Sequence, residues 1–141
     1  MYYGKEHANI PVKNPLYSGI KTIGDLYAAL SEVWCAETCA PRMRDKWSKS
    51  NMTLGQCSIT AFLVQDIFGG DVYGIPLGDG NYHCFNIIDG QKIDLTSEQF
   101  GDKVLNYDDI YPQTREEHFA KTEKHDRYEL LKKLLAEYTQ R

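Results

Sequence analysis

The chain has 141 residues, 16 Lys and Arg against 20 Asp and Glu, and a formal net charge of -4. Its 42% hydrophobic and 26% charged residues are ordinary globular usage rather than that of a disordered or fibrous chain, and the length suits one domain, 1–141, that folds without a metal or disulfide staple. Mild acidity argues against a nucleic-acid partner, whose footprint is a basic face, and no run of about 18 apolar residues offers a membrane span.

The opening residues carry an acidic residue, Glu6, and lack an apolar stretch, so no signal peptide is expected. Cys35, Cys39, Cys57 and Cys84 then read as reduced thiols of a cytoplasmic protein.

Residues 1–20, with Pro11, Pro15 and Gly19, read as an irregular lead-in. Thr22 opens a helix in which Ile23, Leu26, Tyr27, Leu30, Val33 and Trp34 recur at helical spacing, and this helix is expected to run on until Pro41. Residues 41–54 are basic and polar and predict a loop with a short helical turn. From 55 to 68 the chain is apolar on most of its circumference and stops at Gly69-Gly70, the pattern of a buried central helix. Strands follow at 71–75, 82–88 and 91–95, and Asp89-Gly90 between the last two is a strong hairpin signal. Thr96 or Ser97 caps a short helical turn, and 115–141 is a charged helical region with an apolar stripe at Tyr128, Leu131, Leu134 and Leu135. His118 and His125 are expected at the surface, and the Lys, Arg and Glu run from 121 to 133 as a solvated face. The fold class is α+β, a buried helix on a small antiparallel sheet with a C-terminal helix.

Three residues in this frame suggest chemistry. Cys57 falls in the first turn of the buried helix, where unpaired N–H groups and the macrodipole favour a thiolate. If Asp89-Gly90 is a two-residue turn, cross-strand numbers sum to 179, so Phe85 faces Asp94 and His83 faces Thr96. His83 and Asp94 then share one sheet face as diagonal neighbours, within reach of each other's side chains. An imidazole oriented by a carboxylate is what a base assisting a thiol requires. Each residue also has an ordinary role: Cys57 as a small core hydrophobe, His83 as a strand histidine bonded to a carbonyl, Asp94 as a turn or capping acid. Their joint placement favours nucleophile, base and orienter.

The blocks Gly55-Gln56-Cys57-Ser58-Ile59-Thr60-Ala61, His83-Cys84-Phe85-Asn86 and Ile93-Asp94-Leu95-Thr96 resemble the YunG-like family of small bacterial proteins, as does the ending Arg127-Tyr128-Glu129-Leu130-Leu131. That family implies no activity. More widely, cysteine at a helix start, then strand histidine, then aspartate is similar to papain-like and transglutaminase-like thiol enzymes. That resemblance implies Cys57 as nucleophile, His83 as general base and acid, and Asp94 as orienter. The chain lacks papain's local cysteine signature and its upstream glutamine, so the oxyanion donors are the Cys57 N–H with the side chain of Gln56, Asn51 or Trp47.

The expected activity is hydrolysis or acyl transfer on an amide, ester or thioester of a small molecule or peptide, with no cofactor. Two rivals stand beside it. Cys35 and Cys39, four apart on the expected helix, would complete a zinc site with Cys57, His83 or Cys84. A non-catalytic module would use the same fold and its ten tyrosines to bind a peptide or small molecule.

Overall fold

A two-residue turn sets the sheet. In the computed structural model, which describes residues 1–140, Asp89 (φ 50°) and Gly90 (φ 78°) both take positive φ, as a type I′ hairpin demands. The flanking strands, β2 (Tyr82–Ile88) and β3 (Gln91–Ile93), pair antiparallel as Ile88↔Gln91, Ile87↔Lys92 and Asn86↔Ile93, the expected register. β1 (Asp71–Pro76) pairs with the other edge of β2, and a two-residue β4 (Tyr111–Pro112) with β1. The architecture is α+β, with a four-stranded antiparallel sheet in the order β3-β2-β1-β4.

α1 (Ile23–Val33) starts where Thr22 Oγ1 accepts the Asp25 N–H at 3.2 Å, a side-chain N-cap. α2 (Cys57–Phe68) buries every residue from Ser58 to Val64 together with Ile67 and Phe68. It packs on β1 and β2 and is covered by α4 (Thr122–Thr139), which also packs on α1. Alternation along β2 turns Cys84, Asn86 and Ile88 toward α2, and His83 and Phe85 to the other face. The buried Asn86 amide donates to the Ala61 carbonyl at 2.8 Å and pins α2 to the sheet. Ile59, Phe62, Leu63, Cys84, Ile88, Leu131 and Leu135 share one core, where each large side chain is worth about 1.5–3 kcal/mol. Among the described residues no helix is long and apolar enough to cross a membrane.

Four boundaries depart from expectation. α1 stops at Val33, well before Pro41. Thr38 Oγ1 accepts the Cys35 N–H at 3.1 Å and donates to the Cys35 carbonyl at 3.0 Å, closing a 3-10 turn (Ala36–Thr38) that competes with helix. β3 ends at Ile93, because the Asp94 N–H leaves the hairpin for the Tyr3 carbonyl at 2.9 Å. The lead-in is therefore not irregular throughout: Tyr3 bridges Asp94, Pro11 bridges Thr22, and Lys5–His7 forms a 3-10 turn. The C-terminal region is two helices, α3 (Arg115–Phe119) and α4, parted at Lys121, whose backbone is extended.

Candidate active site

Gly55 builds the entry to α2. It takes φ +69°, and a Cβ there would stand 2.5 Å from Cys39 Sγ and 2.9 Å from the Ala40 nitrogen. Its carbonyl accepts from the Ala40 N–H at 3.0 Å and from Arg127 Nη1 at 3.4 Å. Arg127 also donates to the Thr38 carbonyl and, through Nε, to Glu123 at 2.8 Å. The backbone two residues before Cys57 is thus clamped from α4. The N–H groups of Cys57, Ser58 and Ile59 follow, with no acceptor within their own helix.

His83 and Asp94 meet as the register implies. His83 Nε2 lies 2.6 Å from Asp94 Oδ2, and both side chains are 1% exposed. Asp94 leaves the sheet ladder just where its carboxylate is needed. Its Oδ2 also accepts the Tyr107 hydroxyl at 2.8 Å, and Oδ1 the Thr96 N–H at 3.2 Å. The Phe100 ring packs edge-on against the His83 ring, centroids 4.7 Å apart. With Nε2 committed to Asp94, the buried Nδ1 has no partner of hydrogen-bond geometry, and it is the nitrogen left to serve the Cys57 thiol.

Cys57 meets both His83 and the Cys84 thiol. The neighbouring Cys84 thiol, and then the charge of His83, hold the Cys57 thiol well below its ordinary value against the opposing effect of burial. Cys84 is pushed up by the Cys57 thiolate and by burial. Burial would pull His83 down, but the charge and hydrogen bond of Asp94, aided by Cys57, raise it to about 10. Both shifts run in the direction that favours a thiolate beside an imidazolium.

These groups open on a cleft of about 770 Å³ lined by Cys57 and His83. Its far wall comes from α3 and α4. His118 is half-buried there instead of at the surface, with Nε2 2.7 Å from Gln113 Oε1 and Nδ1 2.9 Å from Lys124 Nζ. Burial, and then the Lys124 charge, depress His118 to about 4, so its ring is neutral. The 121–133 run is likewise not wholly solvated, since Arg127 is buried and Lys124 half-buried.

The three side chains expected to supply an oxyanion donor lie elsewhere. The Trp47 indole N–H is spent on the Met52 carbonyl at 2.9 Å, and Asn51 sits in the tight turn it closes with Ser48. Gln56 is fully buried, and its amide donates to the Cys35 carbonyl at 3.1 Å. None of them lines the cleft. Cys35 and Cys39 flank the 3-10 turn rather than sharing a helix face, and among the described residues no three His, Cys, Asp or Glu side chains converge as metal ligands would. Sequence reasoning missed Tyr107 and Lys124, and placed Cys84 only as a ligand of the rival zinc site and not as a neighbour of the Cys57 thiol. Only Cys84 carried a signal, as a thiol on the face of β2 that meets the cysteine helix.

The family model of the YunG protein matches residues 22–140. The "Uncharacterized protein YunG" of Bacillus subtilis (strain 168) is 40% identical over 77 residues, 55% of this chain and 64% of its own length, so the match spans less than two thirds of that relative. No solved structure matches. The family match runs from the cap of α1 through the cysteine helix and the sheet to the end of α4, and the chain belongs to the YunG protein family.

Proposed function

We propose that the protein is a thiol-dependent acyl-transfer enzyme, a hydrolase or acyltransferase, acting on an amide, ester or thioester of a small molecule or peptide. The observation that carries this reading is the buried His83, which has Asp94 2.6 Å from one ring nitrogen and the other unpartnered beside Cys57. The order of helix-start cysteine, strand histidine and aspartate supports a papain-like or transglutaminase-like core. All four cysteines are free thiols, which suits a cytoplasmic setting.

In the first half-reaction the Cys57 thiolate attacks the carbonyl carbon. The negative charge that develops on oxygen is received by the N–H groups at the start of α2. As the bond to the leaving group breaks, the His83 imidazolium gives up its proton to that group. This leaves an acyl-thioester on Cys57 and a neutral His83. Water, or a second nucleophile, then attacks the thioester and loses its proton to His83. Cys57 departs as thiolate, and the ion pair is restored. Asp94 fixes which nitrogen faces the sulfur.

The test is the pH dependence of Cys57 alkylation by iodoacetamide, located by peptide mass mapping, with half-buried Cys35 as the internal comparator. Rapid labelling of Cys57 at pH ~6, slowed in His83→Ala and in Asp94→Asn, is the expected result. Labelling that follows Cys35 and ignores both substitutions would overturn the catalytic reading and leave a binding module.

A further inference from the structure

We propose that the cleft takes an acyl compound carrying an anionic group, a carboxylate or phosphate, and that Lys124 receives that group. The inference deepens the thiol reading above and rests on it for the word acyl.

Lys124 projects from α4 into the cleft wall, half-buried. Its ammonium can only donate, so His118 Nδ1, 2.9 Å away, is the acceptor. The ring proton therefore lies on Nε2, which donates to Gln113 Oε1. One of the three N–H groups of Lys124 is used, on a neutral partner. Among the described residues no carboxylate pairs with Lys124, nor with Lys121 or Arg42 in the same cleft. Of the two cleft acids, Glu123 is committed to Arg127, which leaves Glu117. Arg42 is exposed and has the Asp79 charge near it, so two lysines, Lys121 and Lys124, face one uncommitted acid, in a chain whose net charge is -4. The cleft has the opposite sign to the molecule, and such a field concentrates anions.

A half-buried ammonium without an anion carries a desolvation cost, and burial does depress Lys124. The anion-forming groups that face it are the Cys84 and Cys57 thiols. An anion drawn to Lys124 consequently lies beside the nucleophile. Lysine supplies a point charge rather than a planar fork, and the cleft volume is that of a small-molecule site.

Iodoacetate and iodoacetamide form nearly isosteric adducts but differ by one charge. The ratio of their rates at one cysteine cancels the thiolate fraction, and both reagents label an accessible cysteine at pH ~9. The ratio is therefore readable even if the thiol proves unactivated. Anion selection predicts an iodoacetate-to-iodoacetamide ratio at Cys57 roughly fivefold above that at Cys35, lost in Lys124→Gln. Protection of Cys57 by inorganic phosphate or by acetate then identifies which anion fits. A ratio equal to that of Cys35 and unchanged in Lys124→Gln, with protection by neither anion, would overturn the proposal.

Discussion

The Tyr107 hydroxyl donates at 2.8 Å to Asp94 Oδ2, the same oxygen that lies 2.6 Å from His83 Nε2. Tyr107 comes from the segment between the sheet and β4, stacks on Tyr3 at 3.8 Å and meets Phe85 edge-on. It therefore ties the lead-in, β2 and the carboxylate together. A hydrogen bond to a charged group is worth about 1.5–3 kcal/mol, and phenylalanine keeps both ring contacts. Tyr107→Phe is expected to lower the unfolding free energy in urea by about 1.5 kcal/mol, while Cys57 still labels rapidly at low pH. Loss of labelling with stability intact would instead make Tyr107 a positioning residue for Asp94.

Gly55 is the other position where a small change reaches the cysteine. Alanine there meets two penalties: a positive φ, which costs about 1–3 kcal/mol, and a Cβ 2.9 Å from the Ala40 backbone nitrogen, which cannot move without moving the Ala40-to-Gly55 hydrogen bond. Gly19, at φ +78° with nothing within 4 Å, pays only the first. Gly55→Ala should accordingly lose more stability than Gly19→Ala in urea unfolding, and only Gly55→Ala should slow Cys57 alkylation. Equal losses and unchanged labelling would show that the turn before α2 absorbs the clash.

The hairpin was legible in the sequence because period-two alternation and an Asp-Gly pair leave one register, and the register alone brings His83 to Asp94. The position of Cys57 was legible from the apolar helix that begins there. The rest of the cleft was not. Tyr107 arrives by a long connection whose path no local pattern dictates. His118 and Lys124 meet because the chain breaks at Lys121, in a run where every helical face carries charge and none announces itself as buried. Arg127 hid in that run for the same reason, since only the carbonyls of Thr38 and Gly55 make its burial worthwhile. The end of α1 was misjudged because a hydroxyl at Thr38, not the distant Pro41, supplied the competing bonds.

The ion pair leaves a signature in the pH dependence of stability. His83 is raised from 6.5 to about 10 in the folded protein, so its contribution is complete below pH 6.5 and is lost as pH rises toward 10. Cys57 is lowered well below 9.0, so its contribution is complete above pH 9 and is lost as pH falls through its folded value. Below about 6.5 the unfolded chain protonates both groups, the folded one keeps only the His83 proton once Cys57 has ionised, and stability climbs with pH. Between about 6.5 and 9 each state binds one proton, so the opposing slopes cancel. Above 9 the unfolded chain binds none, and stability falls. Cys57→Ser removes one limb and leaves His83, still raised by Asp94, to lose stability from pH 6.5 upward. The difference in urea unfolding free energy, wild type minus Cys57→Ser, should therefore grow with pH from 6.5 upward, by at most about 1.4 kcal/mol per pH unit, and level off at the His83 value of the variant, which Cys57 no longer helps to raise. Parallel curves for the two proteins would mean that Cys57 is an ordinary thiol and that no ion pair forms.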